Sequence, residues 1–365
     1  MPLQPRSLLR GVPPAALVGP EHLMREAGLT SVLRLGSNES HFGPGPKARA
    51  ALEGALPGVS HYGDPSNHDL REALAARHGV GVHEICVSAG IDDLLAMVAR
   101  AYIEPGTPAI AMEGTFPTFE MNVCSCGAAM HRVPYEVPRV EIEDLLDAAR
   151  PARGGLVYLA NPDNPTGTVC TVPEVETLIE GLPSSSLLVL DEAYANFLPA
   201  ADRLPDDVID PRVIRLRTFS KEYGLAGLRV GYAIAAEPVI RAMEGVRNLY
   251  GVSSLAQAAA LASLDDDSYV SAVLRRIAAI RVEYEALGRR LNVPVVRSAT
   301  NFVLFDCGGR ARAEAVVAGL LRRGIHIRKP QAPALAGFVR ISIGREEHVE
   351  PLSTALAQVL SGGSA

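Results

Sequence analysis

The stretch R-T-F-S-K-E-Y-G-L-A-G-L-R-V-G-Y, residues 217–232, guides the interpretation of the whole chain. It follows an apolar run and places Lys221 near the hydroxyls of Thr218 and Ser220, with Arg229 further along. A lysine at the end of a buried strand is either half of a structural ion pair or a nucleophilic amine. The hydroxyls and the guanidinium suit a phosphate group, because an arginine fork matches phosphate oxygens in pairs. The stretch therefore predicts a site for a phosphate-bearing ligand beside an amine, with the ion pair as the alternative.

Composition limits the kinds of protein to which such a site can belong. The 365 residues carry a formal net charge of -6, and 48% are hydrophobic and 21% charged, as in folded globular proteins. Because no Lys/Arg run forms a basic patch, we expect a small-molecule ligand rather than a nucleic acid. No segment approaches the ~18 apolar residues of a membrane span. The five cysteines match no zinc-binding spacing, so we expect reduced thiols, no metal site and a cytoplasmic location.

Short apolar runs alternate with helix-length amphipathic segments between residues 85 and 235. This alternation is typical of an α/β fold in which a mostly parallel sheet carries helices on both faces. Ligands of such sheets bind beyond the carboxyl ends of the strands. The predicted strands are 85–88, 109–112, 156–160, 187–190, 213–216 and 230–235.

The segments on either side of this region have different patterns. Residues 36–46 are rich in glycine and proline and are predicted to form a loop of an N-terminal arm. Beyond about residue 237 the pattern turns helical and then returns to strands, which indicates a smaller α+β unit packed with the arm. We expect an arm at 1–45, a large domain at 46–265 and a small domain at 266–365. The other predicted elements are helices at 46–56, 67–78 (capped by Asn67), 239–249, 253–264, 270–291, 312–323 and 346–360, and strands at 301–305, 325–328 and 338–343.

Three further motifs follow predicted strands. S-A-G-I-D-D, residues 88–93, opens a helix whose N–H groups would face an anion, although ordinary turns share this composition. The doubled Asn-Pro of N-P-D-N-P-T-G, residues 161–167, forces a turn. Asp191 ends an apolar strand, where a carboxylate stays ionised only beside a cation, unless it is simply a helix N-cap. An amine, a phosphate site and an acid facing a cation together describe pyridoxal 5′-phosphate (PLP), held by a lysine as a Schiff base.

On these motifs the chain resembles the fold type I aminotransferases, in particular the histidinol-phosphate and aromatic aminotransferase group. The resemblance implies the α/β fold of these PLP-dependent transferases, with a large PLP-binding domain and a smaller α+β domain. The implied activity moves an amino group between an L-amino acid, or histidinol phosphate, and a 2-oxo acid. The resemblance covers nearly the whole chain and rests on G-S-N-E-S-H-F-G-P-G-P, H-Y-G-D-P, N-P-D-N-P-T-G, D-E-A-Y, R-T-F-S-K-E-Y-G-L-A-G-L-R-V-G-Y and V-R-I-S-I-G-R-E-E.

The resemblance also implies roles for individual residues. Lys221 would form the aldimine with PLP and later carry a proton, and Asp191 would pair with the pyridinium nitrogen. Arg340 would bind the substrate's carboxylate, and Asn38 would also lie at the substrate. Tyr62 would reach the phosphate from the neighbouring subunit, which implies a homodimer with shared active sites. The other implied cofactor contacts are Gly90, Ile91, Asp92, Phe116, Asn164, Tyr194, Thr218, Ser220 and Arg229.

Three departures from the family pattern leave the substrate open. Residues 38–42 are N-E-S-H-F instead of N-E-N-P-Y, Asp163 stands where asparagine is common, and 343–346 is one residue shorter than I-G-T-x-E. Histidine, aromatic and specialised amino-acid pathways all stay possible. Decarboxylases, cyclases and oxidases of amino acids use the same scaffold and are the alternative activity. A cofactor-sensing transcription regulator is less favoured, because the ~40 residues before the predicted body leave no room for a helix-turn-helix unit.

Overall fold

The computed structural model of the chain describes residues 18–136 and 138–362. Residues 1–17 of the predicted arm and 363–365 of the predicted small domain lie outside the described residues. The strands are β1 (Leu33–Arg34), β2 (Ile85–Ser88), β3 (Pro108–Met112), β4 (Ala129–Val133), β5 (Gly155–Ala160), β6 (Ser186–Asp191), β7 (Val213–Thr218), β8 (Gly231–Ile234), β9 (Val295–Val296), β10 (Phe302–Asp306), β11 (Ile325–His326) and β12 (Phe338–Ser342). The helices are α1 (Pro20–Ala27), α2 (Pro46–Ala55), α3 (His68–His78), α4 (Ile91–Tyr102), α5 (Pro117–Cys126), α6 (Ile142–Ala152), α7 (Val172–Gly181), α8 (Glu237–Glu244), α9 (Ser254–Leu264), α10 (Asp267–Arg290), α11 (Arg310–Arg322) and α12 (Val349–Leu360).

A seven-stranded sheet forms the centre of the fold, in the order β2-β8-β7-β6-β5-β3-β4. Neighbouring strands from β7 to β4 run parallel, whereas β8 is antiparallel to both β7 and β2. The predicted α/β fold with a mostly parallel sheet is therefore confirmed. In the register of this sheet Ala160 at the end of β5 lies opposite Asp191 at the end of β6. The loops after β5, β6 and β7 consequently meet at one edge.

Apolar side chains on both faces of the sheet explain its two helix layers. In β5, Leu156 and Tyr158 share a core with residues of α4, α5 and α8. Val157 and Leu159 share another core with α6 and α7. Because successive side chains of a strand point to opposite faces, a strand covered on both faces is apolar at nearly every position. This is the physical cause of the apolar runs that predicted the strands.

The C-terminal part forms a smaller α+β unit that includes the arm. β10 pairs antiparallel with β9 and β12, and α10, α11 and α12 pack their apolar sides in one core with this sheet. The arm joins the unit through β1, which pairs in parallel with β11, and through Leu35, which lies in the same core. On this basis we propose the division expected from the sequence, with the described residues of 1–45 and 266–365 contributing to the small domain and those of 46–265 forming the large one.

Some local predictions were wrong. β4 was not predicted, because this edge strand exposes most of its side chains and has no continuous apolar run. Asn67 stands at the N-cap of α3 but makes no side-chain cap hydrogen bond. The backbone N–H of His68 instead donates to Oδ2 of Asp64 at 2.7 Å. The helix predicted at 239–249 is α8, which already ends at Glu244.

Candidate active site

A cavity of about 340 Å³ lies at the carboxyl edge of β5, β6 and β7. The loops after these strands and the first turn of α4 form its walls, as expected for a parallel sheet. A second cavity of about 310 Å³ shares part of this wall and adds the predicted substrate contacts Asn38 and Arg340. The predicted residues that line the first cavity are Ile91, Asp92, Phe116, Asn164, Asp191, Tyr194, Thr218, Ser220, Lys221 and Arg229.

The amine of Lys221 faces neutral groups. Its Nζ donates a hydrogen bond to the backbone oxygen of Asn38 at 3.2 Å and lies 5.4 Å from the centre of the Tyr194 ring. The Asn38 side chain continues this contact, because its Nδ2 donates to the Tyr194 hydroxyl at 2.9 Å. No carboxylate among the described residues forms an ion pair with Lys221. The alternative of a structural ion pair is therefore not supported, and the amine is available for a ligand.

Asp191 is a buried carboxylate that forms no ion pair with a described cation. The Tyr158 hydroxyl donates to its Oδ2 at 2.7 Å, and the backbone N–H of Ala193 donates to Oδ1 at 3.0 Å. Burial raises the pKa of Asp191 to about 6. No lysine or arginine in the described part of the chain forms an ion pair with it, and no helix begins there, so the N-cap alternative is wrong. A bound cation that faces this carboxyl group, such as a protonated ring nitrogen, would lower its pKa and stabilise the ionised form.

Tyr158 is a site residue that the sequence analysis missed. It lies in β5, two positions before Ala160, and so faces the same side of the sheet as the end of that strand. A tyrosine inside an otherwise apolar strand was the available signal, since a buried hydroxyl needs a polar partner. The identity of that partner depends on the pairing of β5 with β6, which the sequence does not state.

The phosphate contacts implied by the family resemblance surround one concave end of the cavity. Gly90 has φ 85° and ψ 177°, and a Cβ there would lie 2.8 Å from Nη2 of Arg229. Nη1 of Arg229 lies 3.5 Å from Oγ of Ser220, which accepts a hydrogen bond from Thr218 at 2.9 Å. α4 begins at Ile91 and directs its free N–H groups toward this end. Two hydroxyls, a guanidinium and a helix N-terminus are donors that fit a phosphate.

Arg340 and Asn164 meet where the two cavities join. Nη1 of Arg340 donates to Oδ1 of Asn164, and Nη2 donates to the backbone oxygen of Gly36 at 3.2 Å. The guanidinium lies 5.3 Å from the centre of the Phe302 ring, and its Nε has no hydrogen-bond partner among the described residues. Burial lowers the pKa of Arg340 to about 10. The arrangement is a desolvated cation that contacts neutral groups.

Arg328 is a second arginine at this place, which the sequence analysis did not identify. The backbones of Arg328 and Arg340 form an antiparallel bridge, with N–H donors at 2.6 and 3.2 Å, and both residues line the second cavity. Nη2 of Arg328 donates to the backbone oxygen of Val18 at 3.2 Å, and burial lowers the pKa of Arg328. The available signal was its position at the end of the predicted strand 325–328, but the bridge partner follows from tertiary structure.

Three predicted features lie away from these cavities. Tyr62 is 81% exposed, and its ring packs on Tyr250 with the ring centres 4.5 Å apart. His41 contacts the ring of His348 edge-on at 5.1 Å, and Phe42 lies under the guanidinium of Arg276 at 4.4 Å. The substituted residues of the arm therefore contact the C-terminal unit.

Asp163, the departure in the N-P-D-N-P-T-G turn, is buried beside Asn164. The Tyr135 hydroxyl donates to both of its oxygens at 3.1 and 3.2 Å, and Oγ1 of Thr166 donates at 2.6 Å. Burial raises the pKa of Asp163 to about 6, and no described cation forms an ion pair with it. The ionised form of this carboxyl group therefore destabilises the folded protein.

We expect Asp163→Asn to make the protein more stable at pH 7. Because the folded state holds the Asp163 proton more tightly than the unfolded state does, stability falls as pH rises from about 4 to about 6. A shift of roughly two pKa units corresponds to at most about 3 kcal/mol. Urea unfolding of the cofactor-free protein at pH 4.5 and 7 measures this difference. Asp191 contributes in the same direction in both proteins, so an unchanged pH dependence in the variant would contradict the prediction.

Two features are absent from residues 18–136 and 138–362. Among these residues no helix is long and apolar enough to cross a membrane. No group of three or more His, Cys, Asp or Glu side chains in the same ranges could hold a metal ion.

The fold and the site together define the class of protein, a fold type I transferase that uses PLP. Its residues fit this cofactor, because one cavity contains the acid Asp191 and the amine Lys221, neither of which forms an ion pair within the described ranges. The same cavity contains the hydrogen-bond donors that suit a phosphate, at its phosphate end. A family model described as Aminotransferase class I and II matches residues 30–356. The chain belongs to this family and is a PLP-dependent aminotransferase.

Relatives of known structure or name agree with this assignment. Histidinol-phosphate aminotransferase 1 of Mesorhizobium japonicum is 33% identical over 345 residues, 93% of each chain. Histidinol-phosphate aminotransferase 1 of Thiobacillus denitrificans is 37% identical over 93% of this chain and 88% of that one. The crystal structure of the Sinorhizobium meliloti histidinol-phosphate aminotransferase in complex with PLP matches with a TM-score of 0.94 at 38% identity, covering 98% of each chain. The predicted family, cofactor and reaction class are confirmed.

Proposed function

We propose that this protein transfers the amino group of histidinol phosphate to a 2-oxo acid, as a cytoplasmic homodimer. The main observation that supports this donor is a pair of arginines, Arg328 and Arg340, that line the cavity beside Lys221. Neither guanidinium forms an ion pair within the described ranges, and their contacts are backbone oxygens, an amide and a ring. Both guanidinium groups are partly removed from water, and charge of one sign without an ion-pair partner costs free energy there until an anion binds. The pair therefore favours a substrate with a strongly anionic group.

The number of arginines bears on the identity of that group. One guanidinium suits the α-carboxylate of an ordinary amino acid, whereas two adjacent forks can share the oxygens of a dianion. Histidinol phosphate has no α-carboxylate and carries a phosphate instead. The same pair suits a dicarboxylic 2-oxo acid, such as 2-oxoglutarate, as the acceptor. The names of the relatives support the same donor.

The described residues also suit each part of PLP. When bound, PLP supplies the electron sink that lets the substrate's Cα lose a proton. We infer that Asp191 would hold the ring nitrogen and that Nζ of Lys221 would carry the proton between Cα of the substrate and C4′ of the cofactor. Asn164 and Tyr194 would hold the phenolic oxygen, and Phe116 the ring face. The groups around the phosphate would be Gly90, Ile91, Asp92, Thr218, Ser220 and Arg229.

A donor panel with 2-oxoglutarate tests the proposal, with glutamate formation as the measurement. We expect kcat/KM for histidinol phosphate to exceed that for histidinol by about 10²-fold, the effect of one buried charge pair. Phe, Tyr, Leu and Arg belong in the same panel. A higher kcat/KM for phenylalanine would overturn the proposed donor. Release of CO₂ without glutamate formation would favour the decarboxylase alternative.

Arg328→Gln is expected to separate donors that carry a phosphate from those that do not. The kcat/KM for histidinol phosphate should fall by about 30- to 100-fold, mainly through KM, because one guanidinium fork is lost. The value for histidinol should change by less than about threefold. Lys329→Gln is the matched control, since Lys329 lines the same cavity but is paired with Glu314 at 2.7 Å. Equal losses for both donors would contradict the role of Arg328.

An exposed apolar patch supports the homodimer. Tyr62 and Tyr250 pack on each other while both remain largely exposed, and Arg247 ties the two segments together through the backbone oxygen of Pro65 at 2.8 Å. Exposed apolar side chains that pack on each other are typical of a binding interface. We infer that a second copy of the chain covers it, which would carry Tyr62 toward the partner's phosphate end. The exposed side chains of the patch are Leu56, Val59, Tyr62, Leu249 and Tyr250.

Mixed dimers test whether the active sites are shared. We expect Tyr62→Ala to lower activity and to weaken PLP binding, since Tyr62 would act in the partner's site. Mixing this variant with inactive Lys221→Ala should restore activity, because one site of each mixed dimer then has both residues intact. Half of the dimers are mixed, so about a quarter of wild-type activity is the ceiling. No gain on mixing would contradict shared sites, provided that light scattering shows exchange of subunits.

Cytoplasmic location remains part of the proposal. All five cysteines are free, including the buried Cys86, Cys170 and Cys307. Free thiols suit a reducing compartment.

A further inference from the structure

Glu222, next to Lys221, is a buried carboxyl group with no part in the proposed reaction. It is 2% exposed, and burial raises its pKa to about 7. Its Oε1 accepts a hydrogen bond from Nδ2 of Asn196, whereas Oε2 has no partner among the described residues. No lysine or arginine among the described residues forms an ion pair with Glu222. A buried carboxyl group with so few partners costs stability, so its contribution must lie in the contact that it makes.

The side-chain amide of Asn196 has one orientation that satisfies both of its neighbours, Arg203 and Glu222. Its Oδ1 accepts a hydrogen bond from Nη1 of Arg203 at 2.9 Å, which directs the NH₂ group toward Glu222. An amide N–H at this place needs an acceptor, and Oε1 of Glu222 supplies it. Two hydrogen bonds thus run in one direction, because Arg203 donates to Asn196 and Asn196 donates to Glu222.

The hydrogen bond between Asn196 and Glu222 joins the turn that follows Tyr194 to the turn that contains Lys221. Asn196 lies in the short 3-10 turn Ala195–Phe197, directly after Tyr194, and Glu222 directly follows Lys221. On the cavity side, Asn38 connects the same two turns, because Lys221 donates to its backbone oxygen and its amide donates to Tyr194. The turns are thus held together from two sides.

We propose that Glu222 is a positioning residue that fixes, through Asn196, the Lys221 turn against the Tyr194 turn. The inference rests on the proposed function, since it matters for the reaction only if Lys221 and Tyr194 act there. We call this contact between Glu222 and Asn196 the clamp. The clamp requires an acceptor oxygen at position 222, but it does not require a negative charge there. A glutamine can supply that oxygen in nearly the same volume, whereas a leucine cannot.

The test compares four variants in the PLP-loaded protein: Glu222→Gln, Glu222→Leu, Asn196→Leu and the double leucine variant. We expect Glu222→Leu to lower kcat by about 10- to 100-fold with little change in KM, as for a misplaced reactive group. It should also shift the pH midpoint of the bound cofactor's absorbance. Glu222→Gln should restore kcat to within about threefold of wild type. The double variant should lose no more than either single one, because both changes break one contact.

Several results would overturn the clamp. Wild-type kcat and cofactor spectrum in Glu222→Leu would show that the contact is not needed. A Glu222→Gln protein as slow as Glu222→Leu would assign the effect to the carboxyl charge instead. Additive losses in the double variant would show that Glu222 and Asn196 act separately. Thermal melting of each variant separates misfolding from these outcomes, and Glu222→Gln provides the test if Glu222→Leu does not fold. A wild-type protein that binds no PLP would instead refute the proposed function.

Discussion

Replacing Lys221 by alanine is expected to lower kcat by at least about 10⁴-fold, because one side chain both holds PLP and moves the proton. The fold should persist, since the Lys221 side chain makes one hydrogen bond within the described ranges, at 3.2 Å to the backbone oxygen of Asn38. Turnover with the best donor of the panel and the absorbance of bound PLP measure the two roles. We also expect PLP to leave the variant on dialysis, because the covalent link is lost.

Lys221→Arg is the control for charge. A guanidinium keeps the positive charge beside Tyr194 but does not give up its proton at neutral pH. If the amine is needed, this variant should be as inactive as Lys221→Ala. Full turnover in either variant would refute the assignment of Lys221, whatever the substrate proves to be.

Asp191→Asn is expected to lower kcat by about 10³-fold, the scale on which a fixed charge at a reacting group acts. The asparagine oxygen can still accept the hydrogen bond from the backbone N–H of Ala193, and its NH₂ group can donate to the Tyr158 hydroxyl, which accepts instead of donating. The variant should therefore fold and lose mainly the negative charge that favours a protonated ring nitrogen. Measurement of kcat together with the melting temperature distinguishes this outcome from unfolding.

The same variant should gain stability in the cofactor-free state at pH 7. The pKa of Asp191 is raised by burial, so its ionised form destabilises the empty protein as pH rises from about 4 to about 6. Loss of activity with a higher melting temperature is the expected combination. Tyr158→Phe is the milder control, because it removes one donor to Asp191 and keeps the charge. Wild-type turnover in Asp191→Asn would refute the proposed pairing.

Much of the candidate site was predictable because each motif follows an apolar strand directly. Lys221 follows β7, Asp191 ends β6, and Asn164 lies in the turn after β5. The carboxyl ends of parallel strands lie at one edge of a sheet, so motifs far apart in sequence come together there. Strand periodicity thus predicted the fold class, and the strand-end motifs together with the family resemblance predicted most of the residues that line the cavity.

Other parts depend on contacts that no local pattern states. Tyr158 looks like one more core residue until β5 pairs with β6 and its hydroxyl meets Asp191. Arg328 becomes a site residue because its backbone bridges to Arg340. Asn67 has the residue type of a helix cap, yet Asp64 accepts the N–H of His68 at the start of α3. Each case is settled by competition between partners in space.

The sequence by itself determined the kinds of chemical group and their strand-end positions: an amine at Lys221, an acid at Asp191, hydroxyls at Thr218 and Ser220, and an arginine at 340. Tertiary structure alone decided which charges have partners. Glu192 is neutralised by the buried arginines 215 and 217, whereas Asp191, one residue earlier, forms no ion pair in the described part of the chain. The physical reason is that strand order and register choose the neighbours of each buried charge, and those neighbours decide whether the charge stabilises the fold or remains for a ligand.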